Sequence, residues 1–149
     1  MSLLSEGALA PTFSAKSTSG EIISLSDFAG KKNVVLYFYP EDDTSGCTIE
    51  ACAFRDDSEK YSDTNTVILG VSLDDVNSHK RFTEKFNLNF PLLADTDRKI
   101  CNDYGVDING HHPKRVTYLI GKDGIIKKIF STVNVRVHSP ELLEAIKAI

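Results

Sequence analysis

Three segments of the chain are apolar with hardly a polar interruption. They cover residues 34–39 (VVLYFY), 67–72 (VILGVS) and 92–94 (LLA). Such runs, rich in β-branched and aromatic residues, are typical of strands that are buried on both faces at the centre of a parallel sheet. We therefore predict three buried strands, the first of which ends at Pro40.

The segments between these runs have the spacing of amphipathic helices and begin with residues that cap helices. Phe82 and Phe86, for example, lie four residues apart and would share one helix face. The first predicted helix runs from residue 46 or 47 to about 61 and is capped by Ser45; the second covers about 76–86 and is capped by Asp74 or Asp75. The third is capped by Asp95 or Thr96 and runs through about 104, and the last runs onward from Pro140, which lies in its first turn.

A short strand at 21–25 and a hairpin near the C-terminus complete the pattern. The hairpin joins residues 116–120 (VTYLI) to residues 125–130 (IIKKIF) through a Gly-Lys-Asp-Gly turn. Strands that alternate with helices, followed by a hairpin and a last helix, imply an α/β protein with a three-layer α/β/α sandwich. We expect a central mixed sheet in which the hairpin supplies the antiparallel edge.

Composition narrows the class of protein. A chain of 149 residues suits one domain, residues 1–149, and its net charge of -4 is the opposite of the basic character that nucleic-acid binding requires. No apolar run approaches the ~20 residues of a membrane span. The first residues, MSLLSEGALAP, lack the basic start and long apolar stretch of a signal peptide. We expect neither a nucleic-acid nor a membrane partner.

The chain contains three cysteines, Cys47, Cys52 and Cys101. An odd number without a signal peptide indicates a reducing compartment rather than a secreted disulfide framework. We therefore expect a cytoplasmic protein, in which a pair of thiols is catalytic, redox-active or metal-binding.

Cys47 is predicted to lie in the first turn of the helix that follows the strand at 34–39. In open α/β sheets, functional sites form beyond the carboxyl ends of the strands. A helix N-terminus presents unpaired N–H groups and a partial positive charge, which favour the thiolate, the nucleophilic form of cysteine. The position alone is also compatible with a small residue packed at a helix start.

Cys52 follows Cys47 by five residues in the same predicted helix. On an ideal helix, five residues separate two Cα atoms by roughly 8.6 Å, whereas the Cα atoms of a disulfide are rarely more than about 6.8 Å apart. A bond between the two cysteines therefore requires the helix to unwind locally. Such a requirement suits a redox cycle rather than a static structural bridge.

The residues around these cysteines resemble the active-site pattern PxxxTxxC of the peroxiredoxins. The pattern corresponds to residues 40–47 (PEDDTSGC), and the continuation CTIEAC at 47–52 resembles the Q-type branch, also called bacterioferritin comigratory protein. The resemblance extends through FPLLAD at 90–95 and RVTYLI at 115–120, over nearly the whole chain. It implies a thioredoxin-like fold and a thiol peroxidase, for which we expect neither a cofactor nor a metal.

The resemblance implies a role for five residues. Cys47 would be the peroxidatic cysteine, which is oxidised by a hydroperoxide to a sulfenic acid, and Cys52 would be the resolving cysteine, which then forms an intramolecular disulfide. Thr44 would orient the peroxide, Arg115 would stabilise the thiolate and polarise the O–O bond, and Pro40 would shield the thiolate from water. The implied partners are a hydroperoxide and a thioredoxin-type dithiol reductant. Resolution within one chain permits a monomer, with a dimer as the alternative.

Other polar residues are predicted to have structural roles. These are Cys101 as a buried helix residue, His111 and His112 as solvated loop histidines, His138 as part of the loop before the last helix, and residues 41–43 as a solvated acidic loop. Glu50 and Arg55 are expected to form local pairs on the active-site helix, where Arg55 is a secondary candidate for arranging the site.

Two other functions would use the same cysteines. A thiol–disulfide oxidoreductase or thiol-linked chaperone is the first, although a thioredoxin-type motif places only two residues between its thiols. A module that holds a metal is the second, although no further Cys/His cluster has suitable spacing. Rapid consumption of peroxide by the reduced protein separates a peroxidase from a disulfide exchanger, and metal analysis of the purified protein tests the metal-binding module.

Overall fold

The computed structural model describes residues 2–149. Its strands are β1 (Ser14–Lys16), β2 (Ile22–Ser24), β3 (Asn33–Phe38), β4 (Thr66–Ser72), β5 (Leu92–Ala94), β6 (Ile108–Asn109), β7 (His112–Pro113), β8 (Val116–Ile120) and β9 (Ile126–Phe130). Its α-helices are α1 (Ser45–Asp56), α2 (Ser58–Asp63), α3 (Val76–Phe86), α4 (Lys99–Asp103) and α5 (His138–Lys147). Within these residues, none of the helices has the length and apolar character needed to cross a membrane.

Five strands form the central sheet in the order β5-β4-β3-β8-β9. β3, β4 and β5 are parallel, whereas β8 pairs antiparallel with β3, and β9 pairs antiparallel with β8. The expected mixed sheet with the hairpin as its antiparallel edge is confirmed. β1, β6 and β7 lie in two small separate hairpins and are too short to be evident in the sequence pattern.

Side chains that alternate along β3 pack into two cores, one on each face of the sheet. Val34, Leu36 and Phe38 belong to the core that includes α4 and part of the N-terminal segment, whereas Val35 and Tyr37 belong to the core under α1, α3 and α5. Every residue of β3 after its first is buried, which explains the unbroken apolar run. The two cores give the expected three-layer, thioredoxin-like sandwich.

The single helix predicted from residue 46 or 47 to about 61 is instead two helices, α1 and α2, which meet at Asp57. The backbone of Asp57 leaves the helical region, with φ -95° and ψ 8°. Its carboxylate accepts a hydrogen bond from Ser139 Oγ of α5 at 2.7 Å, and Tyr61 of α2 also contacts Ser139. The prediction was wrong because a contact with a distant helix accompanies the break, and the local pattern contains no sign of it.

The starts of α1 and α3 agree more closely with the sequence. α1 begins one residue earlier than expected, with Thr44 rather than Ser45 at its N-cap. α3 is capped by Asp75, whose carboxylate accepts a hydrogen bond from the backbone N–H of Ser78 at 2.8 Å. The first of these two helices carries Cys47 to the carboxyl end of the sheet.

The last two helices begin at positions that differ from the predictions. α4 begins at Lys99, and Asp95 caps it from outside because its buried carboxylate accepts two N–H groups of the first turn. α5 begins at His138, two residues before Pro140. The assignment of His138 to a loop was therefore wrong. Its ring is buried, with Nε2 at 2.8 Å from the hydroxyl of Thr117.

Candidate active site

Cys47 is the third residue of α1, at the carboxyl end of the sheet. Its predicted place in the first turn is confirmed. The residue is only 1% exposed and packs with the core beneath α1. The N–H groups of a first helical turn lack partners within the helix, so they place partial positive charge around the sulfur.

Arg115 is the cation that the fold brings to this thiol. One guanidinium nitrogen, Nη2, donates to Cys47 Sγ at 3.2 Å, and the other, Nη1, donates to Glu50 Oε1 at 2.9 Å. The sheet explains the approach, because Val116 at the start of β8 pairs with Phe38 at the end of β3. Arg115 therefore lies at the edge where α1 begins, as the resemblance implied.

Gly46 leaves the space that this approach requires. A Cβ atom on Gly46 would lie 2.7 Å from Arg115 Nη2, which is closer than real Cβ contacts come. The absence of a side chain at the second position of α1 therefore allows the guanidinium to reach the sulfur. This requirement is invisible in the sequence, because Gly46 and Arg115 are far apart in the chain.

Glu50 completes the polar contacts of the arginine. The residue is 2% exposed, and its second carboxylate oxygen, Oε2, has no hydrogen-bond partner among the described residues. Burial raises the pKa of Glu50 to about 7, although the Arg115 guanidinium partly offsets this rise. The local pair expected for Glu50 is wrong, because its partner is the distant Arg115, whereas Arg55 does form a local pair, with Asp56. A signal was nonetheless available, since Glu50 is three residues after Cys47 and so on the same helix face.

Arg55 lies outside the site. Its Nη1 donates to the backbone carbonyl of Phe86 at 2.6 Å, and its Nε donates to Asp56 at 3.0 Å. The first of these bonds joins the end of α1 to the end of α3. Arg55, the secondary candidate for arranging the site, therefore links two helices and makes no hydrogen bond to Cys47.

Thr44 and Pro40 lie on the loop between β3 and α1, which leads to Cys47, and both are half-buried. The Thr44 hydroxyl donates to the carbonyl of Glu41 at 3.0 Å, which leaves its oxygen lone pairs free to accept a proton donor such as a hydroperoxide O–H. The acidic run on this loop is not uniformly solvated as expected. Glu41 and Asp43 are exposed, whereas Asp42 is only 8% exposed.

Cys52 is half-buried and lies in the same unbroken helix as Cys47. Both thiols are free. The arrangement is that of a reduced protein, in which α1 keeps the two sulfurs from bonding by the geometry of its backbone.

Aromatic side chains form the floor under the helix. The ring of Tyr37 lies 4.8 Å from that of Phe54, and the buried Tyr37 hydroxyl has no hydrogen-bond partner within residues 2–149. Burial, with smaller contributions from Glu50 and Cys47, raises the pKa of Tyr37 well above its ordinary value. Tyr37 therefore stays neutral, and the buried, largely apolar floor strengthens the electrostatic effect of Arg115 on the thiol.

Comparison with known proteins agrees with this geometry. A sequence profile described as the AhpC/TSA family matches residues 7–129. The chain belongs to the AhpC/TSA family. It is 42% identical over 144 residues to the peroxiredoxin bcp of Coxiella burnetii, a match that covers 92% of this chain and 95% of that protein. It is 45% identical over 130 residues to the chloroplastic peroxiredoxin Q of Triticum aestivum, covering 86% of this chain but only 59% of the wheat protein.

Solved peroxiredoxin structures have the same fold. A cysteine-to-serine mutant of the Xylella fastidiosa peroxiredoxin Q matches with a TM-score of 0.92 at 29% identity, covering 99% of this chain and 98% of that one. The Xanthomonas campestris bacterioferritin comigratory protein, studied for alkyl peroxide reduction, matches with a TM-score of 0.86 at 30% identity, covering 91% and 90%. The Q-type peroxiredoxin branch and its thioredoxin-like fold, expected from the sequence, are confirmed. The enzyme is a thiol peroxidase, which uses a peroxide substrate and a thiol reductant.

Cys101, His111 and His112 are the remaining residues that the sequence singled out. Cys101 is fully buried, and burial raises the pKa of its thiol far above the ordinary range. The prediction that it is a buried residue is confirmed. His111 and His112 are exposed, as expected, but His112 lies in β7 and pairs with Glu41 at 3.2 Å.

Proposed function

We propose that Cys47 is the residue that reacts with the hydroperoxide. The thiolate attacks one peroxide oxygen, the S–O bond forms as the O–O bond breaks, and the departing oxygen takes a proton to leave as water or an alcohol. Sulfur is oxidised by two electrons and the peroxide is reduced by two. The observation that carries the proposal is the 3.2 Å contact between Arg115 Nη2 and Cys47 Sγ, because this donor stabilises negative charge on both the thiolate and the breaking O–O bond.

Thr44 and Pro40 act on the substrate side of the same sulfur. Because the Thr44 hydroxyl donates its own hydrogen bond to the backbone carbonyl of Glu41, its oxygen can accept a hydrogen bond from the hydroperoxide O–H and orient the peroxide toward Cys47. Pro40 has no N–H to attract water and shields the thiolate. Hydrogen peroxide and organic hydroperoxides both present the O–H and O–O groups that these contacts use.

Cys52 resolves the oxidised thiol in the proposed cycle. Its thiolate attacks the sulfenic sulfur of Cys47, an S–S bond forms, and the hydroxyl leaves as water after taking a proton. The first turns of α1 must unwind for this step, since the two cysteines lie five positions apart on one helix. A thioredoxin-type dithiol protein then reduces the disulfide by exchange. Because both cysteines belong to one chain, a cytoplasmic monomer can complete the cycle.

The test mixes reduced protein with one equivalent of hydrogen peroxide in a stopped-flow instrument. Wild type is compared with Cys47→Ser, Cys52→Ser and, as a matched control, the buried Cys101→Ser. Thiols are counted and disulfides are mapped by mass spectrometry. We expect rapid loss of two thiols into a Cys47–Cys52 bond in the wild type and in Cys101→Ser.

The two remaining variants separate the roles of the cysteines. Cys47→Ser should not react, whereas Cys52→Ser should stop at a sulfenic acid that dimedone traps. If all four proteins react at the slow rate of free cysteine, the assignment of Cys47 is wrong. The pair would then be tested as a thiol–disulfide exchanger.

A further inference from the structure

His79 is a fully buried histidine of α3 that makes two hydrogen-bond contacts. Its Nδ1 lies 2.7 Å from Asp42 Oδ2, and its Nε2 lies 2.9 Å from the carbonyl oxygen of Leu93 in β5. Both ring nitrogens thus face oxygen atoms on different elements, which fixes the orientation of the ring. None of the proposed catalytic steps uses this histidine.

Asp42 lies in the active-site loop, defined here as residues 40–44. Its carboxylate also accepts hydrogen bonds from the Tyr39 hydroxyl at 2.6 Å and from Ser78 Oγ at 2.8 Å. Its backbone N–H donates to Asp74 Oδ2 at 2.8 Å. Four residues, each through one atom, therefore hold Asp42: Tyr39, Asp74, Ser78 and His79. A buried carboxylate without such partners would be costly.

The neighbours of Asp42 are held much less firmly. Glu41 pairs with His112 and Asp43 pairs with Lys85, but all four side chains are about half exposed. Exposed ion pairs contribute little to stability, because water screens them. The active-site loop is therefore anchored to the rest of the protein chiefly at Asp42.

The backbone after Asp42 carries this anchoring to the reacting thiol. Asp43 has a φ of 58°, in the left-handed region that non-glycine residues rarely adopt. Thr44, the N-cap of α1, follows directly. The direction of the Thr44 hydroxyl and of the first turn around Cys47 thus depends on a strained residue whose predecessor is fixed by His79.

A metal site is the other reading of this cluster. Ligand atoms of Asp42, Asp74 and His79 lie within 4.8 Å of one another. However, each of these side chains already has a protein partner, including the Ser72 hydroxyl, which donates to Asp74 at 2.7 Å. Among the described residues, the side chains of this cluster are hydrogen-bonded to one another and to their neighbours. None of their buried polar atoms lacks a partner that a metal ion would have to supply.

We propose that His79 is a positioning residue for the peroxide reaction. It holds Asp42, and Asp42 fixes the active-site loop so that Thr44 and the N-terminus of α1 face the peroxide at Cys47. The proposal rests on the roles proposed above for Thr44 and Cys47. His79 itself touches neither the substrate nor the sulfur.

The test uses two substitutions that each preserve one of the two contacts. In His79→Asn, the amide nitrogen replaces Nδ1 and can still donate to Asp42. In His79→Gln, the amide nitrogen replaces Nε2 and can still donate to the Leu93 carbonyl, while the contact with Asp42 is lost. The measured quantities are the second-order rate constant with hydrogen peroxide, the alkylation rate of Cys47 by iodoacetamide, and Tm.

A misplaced reacting group costs up to about 10²-fold in rate, so we expect at least about a tenfold loss of the peroxide rate in His79→Gln and less than about threefold in His79→Asn. Alkylation, which needs no oriented peroxide, should not slow in either variant. Equal losses in both variants, wild-type rates in both, or rates that simply follow Tm would overturn the proposal. A wild-type protein that reacts only as fast as free cysteine would instead refute the proposed role of Cys47.

Asp42→Asn provides a second variant, in case the His79 proteins do not fold. The substitution keeps the size of the side chain but replaces one carboxylate oxygen with an NH2 group. That group is itself a donor, so it cannot accept the hydrogen bonds that Tyr39, Ser78 and His79 direct at the carboxylate. The peroxide rate should again fall by at least about tenfold, with alkylation unchanged. A folded Asp42→Asn protein that reduces peroxide at the wild-type rate would also rule out the proposal.

Discussion

The guanidinium of Arg115 donates a hydrogen bond to the thiol sulfur of Cys47 at 3.2 Å, although the two residues are 68 positions apart in the chain. The same guanidinium binds Glu50 through its other terminal nitrogen. A fork with two fixed donors suits this double contact, which a lysine ammonium cannot reproduce in the same geometry. Substitutions of Arg115, of Gly46, which leaves space for the guanidinium, and of Glu50, which also binds it, measure the consequences of this contact separately.

Arg115→Lys should slow the reaction with hydrogen peroxide by about 10²–10³-fold, the typical effect of removing one donor to developing negative charge. The measurement is the second-order rate constant of the reduced protein in stopped flow. Lys114→Ala is the matched control, because Lys114 is exposed and its pair with Asp107 spans 3.6 Å. An Arg115→Lys rate as high as that of the control would show that the guanidinium is not needed.

Gly46→Ala should impair the reaction without unfolding the protein. The new Cβ would meet the flexible end of the Arg115 side chain, which can move away at little cost to stability. Moving it by about 1 Å is expected to lower the peroxide rate by at least about tenfold. Tm should hold steady, since alanine is a better helix former than glycine. Ser45→Ala, at the exposed neighbouring position, should leave the rate unchanged; parallel losses in both variants would contradict this explanation.

Substitutions at Thr48 should change the resolving step alone. Thr48 lies between the two cysteines on α1 and is half-buried. Glycine destabilises a helix by about 1 kcal/mol relative to alanine, so if local unwinding limits disulfide formation, Thr48→Gly should form the Cys47–Cys52 bond about fivefold faster than Thr48→Ala. Quenched-flow thiol counting measures this step. Equal rates of disulfide formation in the two variants would mean that unwinding is not limiting. The initial reaction with peroxide, which should be the same in both variants, serves as the internal reference.

Glu50 should make folding stability depend on pH. Its pKa is raised to about 7 in the folded protein, mainly by burial, against an ordinary value of 4.5. Between these values the folded state binds more protons at this site than the unfolded chain, so stability from Glu50 is lost as the pH rises through the window. The side chain of Glu50→Gln does not titrate, so this variant does not lose that stability as the pH rises. The difference in Tm, variant minus wild type, should therefore increase by about 3 °C or more between about pH 5 and pH 8.

Differential scanning calorimetry at several pH values measures this effect. The control is Glu59→Gln, at an exposed position on α2, whose Tm difference from wild type should stay flat. A flat difference for Glu50→Gln as well would mean that the pair with Arg115 keeps the carboxylate ionised throughout.

Local patterns determined much of the architecture. The run at 34–39 is apolar because β3 is covered on both faces, and this condition alone identifies a central strand. The position of Cys47 in the first turn of α1 follows from the cap and the preceding strand, and the requirement for unwinding follows from helix geometry. These features depend on residues close together in the chain.

Only the tertiary structure decided which distant groups meet. Arg115 reaches Cys47 because β8 pairs antiparallel with β3. The same guanidinium pairs with Glu50, whereas Arg55, five positions after Glu50 on α1, binds Phe86 and Asp56. The sequence predicts a solvated Asp42, whereas in the structure this residue is buried and bound by His79 of α3. Contacts of this kind join residues tens of positions apart, so no local periodicity records them; they follow from strand pairing and from the need of buried polar groups for partners.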